Sequence, residues 1–207
     1  MERRSVRSRS NRAIQALARR IARTAVTPNQ ISMCSVLAAG LVPLGLLLFG
    51  GNLGSVIALL GVQLRLLANV LDGLVAIEGS KASKLGALYN EFPDRIADSV
   101  ILVAAGYVAS TPALGWLGAL LAALTAYVRV FGGALGLPQA FTGPMAKQHR
   151  MAVISAALVI GTIPSLTAYA TGALKLSLVV VVLGSAWTCC TRTYAVGRLL
   201  NQAPSPP

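Results

Sequence analysis

The chain contains six carboxylates, and five of them (Asp72, Glu78, Glu91, Asp94 and Asp98) fall within 27 residues; the sixth is Glu2. Apolar sequence surrounds them, and a carboxylate in a spanning helix costs about 2.5–3.5 kcal/mol on insertion scales, so such acids mark a functional site by default. Helical spacing sorts them. Asn69, Asp72, Gly73 and Ala76 share one face by i, i+3, i+4, i+7 spacing; Gly86, Asn90, Asp94 and Asp98, each four apart, share another. A short turn joins the two helices, which predicts an antiparallel, neighbouring pair with Asp72 facing Asp94 about two turns inside one membrane face. Asn69 and Asn90 add amide oxygens, while Gly73, Ala76 and Gly86 leave room for a ligand. Oxygen donors without His or Cys suit Mg²⁺ or Mn²⁺ over zinc, and magnesium held by few carboxylates shares its coordination with substrate phosphates. The expected chemistry is a metal–phosphate site at the membrane surface.

Plainer uses of the same residues compete with that reading. Small residues serve close helix packing, and acids serve ion pairs. Arg65 lies one turn deeper than Asn69, and Asp98 one turn deeper than Asp94, which predicts a buried Arg65–Asp98 pair closing the floor of the site. Glu78 and Glu91 sit nearer the turn, where solvation alone accommodates them; Glu91 also has Arg95 four residues on as a helix-surface partner.

The elements that must position these groups are membrane helices. Of the 207 residues, 55% are hydrophobic and 12% charged, against about 25% charged in an average soluble chain. Six segments approach the roughly 20 apolar residues a span requires: 31–50, 54–77, 86–110, 112–134, 150–171 and 174–197. The connections are short and turn-like except residues 135–149. The net charge of +12 does not imply nucleic acid, because eight of the 18 basic residues precede residue 24 and only 5% of residues are aromatic. Lys and Arg also cluster at Lys81, Lys84, Lys147, Arg150, Arg192 and Arg198, which places both termini and the two basic connections in the cytoplasm. Cys34, Cys189 and Cys190 lack ligand spacing and read as small core residues.

The sequence thus divides into an Arg-rich arm (1–26), a membrane body (27–200) and a short tail (201–207). In the arm, Ile14, Leu17, Ala18, Ile21 and Ala22 share a face that Arg12, Arg19, Arg20 and Arg23 largely avoid, which describes an amphipathic interfacial helix. An orientation signal or a mitochondrial transit peptide has the same composition. Pro28 is expected to end this helix, with Thr27 or Asn29 capping the next.

Read as a string, Asn69-x2-Asp72-Gly73-x2-Ala76-Ile77-x8-Gly86-x3-Asn90-x3-Asp94 resembles the signature of the CDP-alcohol phosphotransferase family, D-x2-D-G-x2-A-R-x8-G-x3-D-x3-D, within a six-helix membrane fold. The entry Thr27-Pro28-Asn29-Gln30-Ile31-Ser32 looks like the family's approach to its first helix. The resemblance implies metal-dependent transfer of a substituted phosphate from a CDP-linked lipid, typically CDP-diacylglycerol, to an alcohol, with release of CMP. It implies that Asp72 is a metal ligand, that Asp94 is the general base and also a ligand, and that Gly73, Ala76 and Gly86 line the nucleotide pocket. The chain departs from the pattern at Asn69, Asn90 and Ile77. Two anionic charges and the usual nucleotide-gripping Arg are absent, so one ion or two are open and Glu91 is a candidate for the missing charge.

A second constellation lies downstream. Tyr127 and Arg129 end the fourth span, and Lys147, Gln148, His149 and Arg150 open the fifth. This is similar to the acceptor side of family members that use phosphorylated polyols, and implies Arg129, Lys147 and Arg150 as acceptor-binding residues; His149 reads more readily as a surface residue. The competing functions are a non-catalytic relative that binds a CDP-lipid or a partner, and a small transporter with Arg65, Asp72, Asp94 and Asp98 as an ion relay. The expected setting is a bacterial inner membrane with the active site cytoplasmic. Gly132, Gly133 and Gly161 offer surfaces for a homodimer.

Overall fold

The computed structural model describes residues 11–81, 83–139 and 141–202. Arg3, Arg4, Arg7 and Arg9 of the arm, Glu2 and most of the tail lie outside the described residues. All regular structure among the described residues is helical: α1 (Arg12–Ala22), α2 (Pro28–Pro43), α3 (Gly51–Glu78), α4 (Gly86–Val108), α5 (Pro112–Ala134), α6 (Lys147–Thr162) and α7 (Ala170–Gln202).

Local chemistry sets the boundaries. Asn11 caps α1, and α1 stops at Ala22, several residues before Pro28. Pro28 instead occupies the first turn of α2, where its missing N–H costs nothing. Thr27 caps that helix in a reciprocal capping box with Gln30. After Pro43 the helix widens into a π segment, Leu44–Phe49. The reversal into α3 then uses Gly50 and Gly51 at φ of +63° and +53°, conformations that a side chain would strain. The fifth expected span, 150–171, is interrupted: α6 ends at Thr162, Ile163 turns extended, and a 3₁₀ segment (Pro164–Tyr169) follows. Pro164 disfavours helix in the residue before it and has no N–H to continue the ladder. α7 begins at Ala170, so Thr171 and Gly172, at the junction of the fifth and sixth expected spans, lie inside it.

Among the described residues, four helical stretches are long and apolar enough to cross a membrane: Pro28–Phe49, Gly51–Glu78, Pro112–Ala134 and Pro164–Gln202. Of the other two long helices, α4 carries Glu91, Asp94, Arg95 and Asp98, and α6 has 16 residues. Large apolar side chains stand outward around the bundle, Leu37 at 75% exposed and Leu48 and Tyr194 at 74%. An apolar surface of that kind requires lipid or protein cover. Cys34 and Cys190 also lie on the surface, which corrects their assignment to the core, and all three cysteines are free.

The largest departure concerns the two motif helices. Although a short connection joins α3 to α4, they do not lie side by side. α3 packs on α2 and α6, α4 packs on α2 and α5, and direct contact between α3 and α4 is slight. α2 holds them apart, burying the small-residue face Ser32, Ser35, Ala39 and Val42. Across the other end, Val62, Ile101, Leu102, Ile154, Leu158, Leu178 and Val181 form a shared apolar core. α1 seats Ala18, with Ile14 and Ile21, on Leu71, Leu74 and Val75 of α3. Its apolar face is therefore partly buried in protein.

Candidate active site

The gap between α3 and α4 is a cavity of about 1250 Å³. Asn69, Asp72, Gly73 and Ala76 line it from α3, and Gly86, Asn90, Glu91, Asp94 and Arg95 from α4. Arg129 of α5, Lys147 and Arg150 of α6, and Arg192 of α7 complete the polar wall; Ile14, Leu66, Leu67 and Val70 contribute apolar surface. The two constellations that are far apart in sequence form one site.

At the floor, Arg65 is 0% exposed and reaches Asp98 and Asp94, the latter at 3.4 Å. Arg150, 1% exposed, bonds the other oxygen of Asp98 at 2.9 Å and the Met145 carbonyl at 3.1 Å. One acid thus holds two guanidinium groups. Arg150, expected on the acceptor side, lines the cavity and directs its guanidinium to Asp98 at the floor.

Asp94 is buried and ringed by cations. Lys147 Nζ donates to its Oδ2, Arg95 lies 3.7 Å from the same oxygen, and Arg65 approaches its Oδ1. Lys147 also donates to Asn69 Oδ1 at 2.7 Å, while Asn69 Nδ2 donates to the Arg65 carbonyl at 3.0 Å. Asp72 differs. Its Oδ2 accepts from Ser32 Oγ at 2.7 Å, and among the described residues it makes no ion pair within 4.0 Å.

Glu91 pairs with Arg129, not with Arg95, and Arg129 also donates to Gln139 Oε1 at 2.6 Å and stacks over Phe141 at 5.4 Å. Glu91, the candidate for the anionic charge missing at Asn69 and Asn90, lines the cavity with one oxygen engaged by Arg129. Glu78 is exposed beside Arg19 of α1 and Arg23 just after it. Ile77, at the position of the absent Arg, is 64% exposed and outside the cavity lining. His149 is exposed, with Nδ1 against the Pro144 carbonyl. Gly132 packs on Val196, Gly133 on Gln139 and Gly161 on Ser55 of the same chain, so these glycines serve close packing within the bundle.

Four contributors escaped sequence reasoning: Ser32, Gln139, Arg95 as a partner of Asp94, and Arg192, which donates to the Thr125 and Thr142 carbonyls. A Ser on the small-residue face of α2 was the one available signal. The others depend on which helices become neighbours.

The donor chemistry fits a hard divalent cation sparsely. Asp72 and Asp94 bring anionic oxygens, Asn69 and Asn90 neutral ones. No three His, Cys, Asp or Glu side chains gather as a metal cluster among the described residues.

No protein-family profile matches the chain. It is 34% identical over 161 residues to the bifunctional IPC transferase and DIPP synthase of Rubrobacter xylanophilus, an alignment covering 73% of this chain and 35% of that relative. The chain therefore spans about a third of that relative's length. Its fold is that of Mycobacterium tuberculosis phosphatidylinositol phosphate synthase. The structure with CDP-DAG bound superposes with a TM-score of 0.70 at 20% identity, covering 90% of this chain and 94% of that one. The manganese and citrate complex gives 0.69 at 20% identity, covering 88% of each chain. The chain thus has the fold of a phosphatidylinositol phosphate synthase and sequence similarity to part of a transferase relative, and its motif resembles the CDP-alcohol phosphotransferase signature with two acids and an arginine lost.

Proposed function

We propose that the chain transfers a phosphatidyl group from CDP-diacylglycerol or a related CDP-linked lipid to an alcohol, releasing CMP. The observation that carries this reading is the splaying of α3 and α4. It sets Asp72 and Asp94 into one cavity large enough for a nucleotide head group, with apolar surface beside it for acyl chains.

In the reaction, the acceptor hydroxyl oxygen attacks the lipid-side phosphorus of the donor. A new P–O bond forms, the bond to CMP breaks, and CMP leaves with the electron pair. Asp94 receives the hydroxyl proton, the role of a general base. Gly73, Ala76 and Gly86 leave space for the nucleotide. Arg129, held by Glu91 and Gln139, is the cation placed to meet an anionic acceptor such as a phosphorylated polyol. Asp72 and Asp94, with the amide oxygens of Asn69 and Asn90, are the donors that would hold magnesium or manganese. When bound, such an ion neutralises the donor diphosphate and the charge developing on the leaving group.

The same reading gives six spans, counting α4 with its charges facing the cavity and α6 with the 3₁₀ segment that extends it. Lys81, Lys84, Lys147 and the two termini then lie on the cytoplasmic side of a bacterial inner membrane. The test is CMP release from CDP-diacylglycerol by protein in nanodiscs, with Mg²⁺ or Mn²⁺ and a panel of alcohols. Asp94→Asn should slow release by about 10²–10⁴-fold, the usual contribution of a positioned base. Undiminished release by that variant refutes the role of Asp94.

A second reading follows from the pairing of Asp94, Asp98 and Glu91 with protein cations: a non-catalytic binder of CDP-lipid. Metal-dependent retention of CDP-diacylglycerol without CMP release from any acceptor would favour it.

A further inference from the structure

Lys147 opens α6 and lies 78 positions from Asn69 and 53 from Asp94 in sequence. Its ammonium nevertheless bridges Asn69 Oδ1 and Asp94 Oδ2, two oxygens at positions where the family pattern places acids. The amine lines the cavity, with its side chain 27% exposed. Resting on the transferase reading, we propose that Lys147 is a built-in cation standing in for one divalent ion. The donor diphosphate is then bound by a single metal ion and this ammonium together.

Charge balance points the same way. Replacing acids by Asn69 and Asn90 removes anionic charge that a second divalent ion would need, and a single positive charge matches the one acid that remains on that side, Asp94. That acid already has Arg65 at 3.4 Å and Arg95 at 3.7 Å. A further doubly charged ion there would be repelled by three fixed cations in a low-dielectric setting. Asp72, which accepts from the neutral Ser32 hydroxyl and makes no ion pair within 4.0 Å among the described residues, is the acid left to anchor the one ion. An ammonium has three N–H donors. Asn69 and Asp94 engage two of them, and the third is available to a phosphate oxygen. The asparagines and the lysine are thereby one adaptation, in which a mobile cation is exchanged for a covalently attached one.

The test is Mn²⁺ stoichiometry, read by electron paramagnetic resonance with the full chain in nanodiscs of zwitterionic lipid and no nucleotide present. The wild type and Lys147→Arg should each bind one ion. The double variant Asn69→Asp with Lys147→Met should bind a second, at least about tenfold more tightly than the wild type does, because a fixed positive charge has been exchanged for a negative one. A second readout guards against a variant that fails to fold: in excess EDTA, wild-type protein should still retain CDP-diacylglycerol through the ammonium. Two ions or none on the wild type, a double variant that binds no more than the wild type, or loss of all lipid binding in EDTA would each overturn the proposal. CMP release is a separate measurement. A wild type that binds one ion and releases no CMP would sink the transferase reading and leave the ammonium's role intact.

Discussion

Asp98 shows how much one residue identity commits. It is buried, yet two guanidinium groups converge on it from α3 and α6, and neither Arg65 nor Arg150 reaches solvent. Removing one member of a buried ion cluster is far worse than never having it, since the uncompensated charges remain in low dielectric. Asp98→Asn should therefore lower stability by about 3–5 kcal/mol, seen as a fall in the thermal midpoint in detergent. An unchanged midpoint would show that the two arginines find other partners. The pairing of Arg65 with Asp98 was legible from helical depth alone. The arrival of Arg150 was not, because α6 lies 52 residues away and periodicity carries no information about distant neighbours.

Among elements, the decisive contact is the tight approach of the π segment that follows α2 to the start of α3. A Cβ on Gly45 would sit 2.5 Å from the Gly54 carbonyl oxygen and 2.9 Å from the Ala58 nitrogen, both backbone atoms that cannot step aside. Gly45→Ala should cost about 1–3 kcal/mol, the usual price of overpacking, and should loosen the wedge that keeps α4 off α3. Gly86 makes the contrast. A Cβ there meets only Ser83 Oγ at 3.6 Å, an ordinary contact. Gly86→Ala should fold with an unshifted midpoint, so a rise in the Kd for CDP-diacylglycerol in that variant reports ligand space directly. Equal affinity would remove Gly86 from the nucleotide pocket. Helix existence and most boundaries could be read from apolar runs, prolines and the Thr27–Gln30 box. The expected pairing of α3 with α4 was wrong: a short connection limits the distance between helix ends, but side-chain size decides what packs along their lengths.

On the scale of the molecule, the basic residues give a topology that is open to a direct check. With native cysteines replaced, single cysteines at Lys84 and Lys175 should label with an impermeant maleimide from opposite sides of inverted and right-side-out vesicles. Labelling from the same side would break the six-span arrangement. The sequence by itself determined the helical class, the apolar spans, and the clustering of acids at a spacing that resembles the family signature, because these follow from local periodicity and the cost of burying polar groups. Only the tertiary structure decided which charge meets which. It drew Lys147 to Asp94, Arg129 to Glu91 and Arg150 to Asp98, and opened the motif helices around a cavity. Those outcomes depend on which long-range neighbours the small-residue faces admit, and charge pairing at a few ångströms is settled only once the helices are in place.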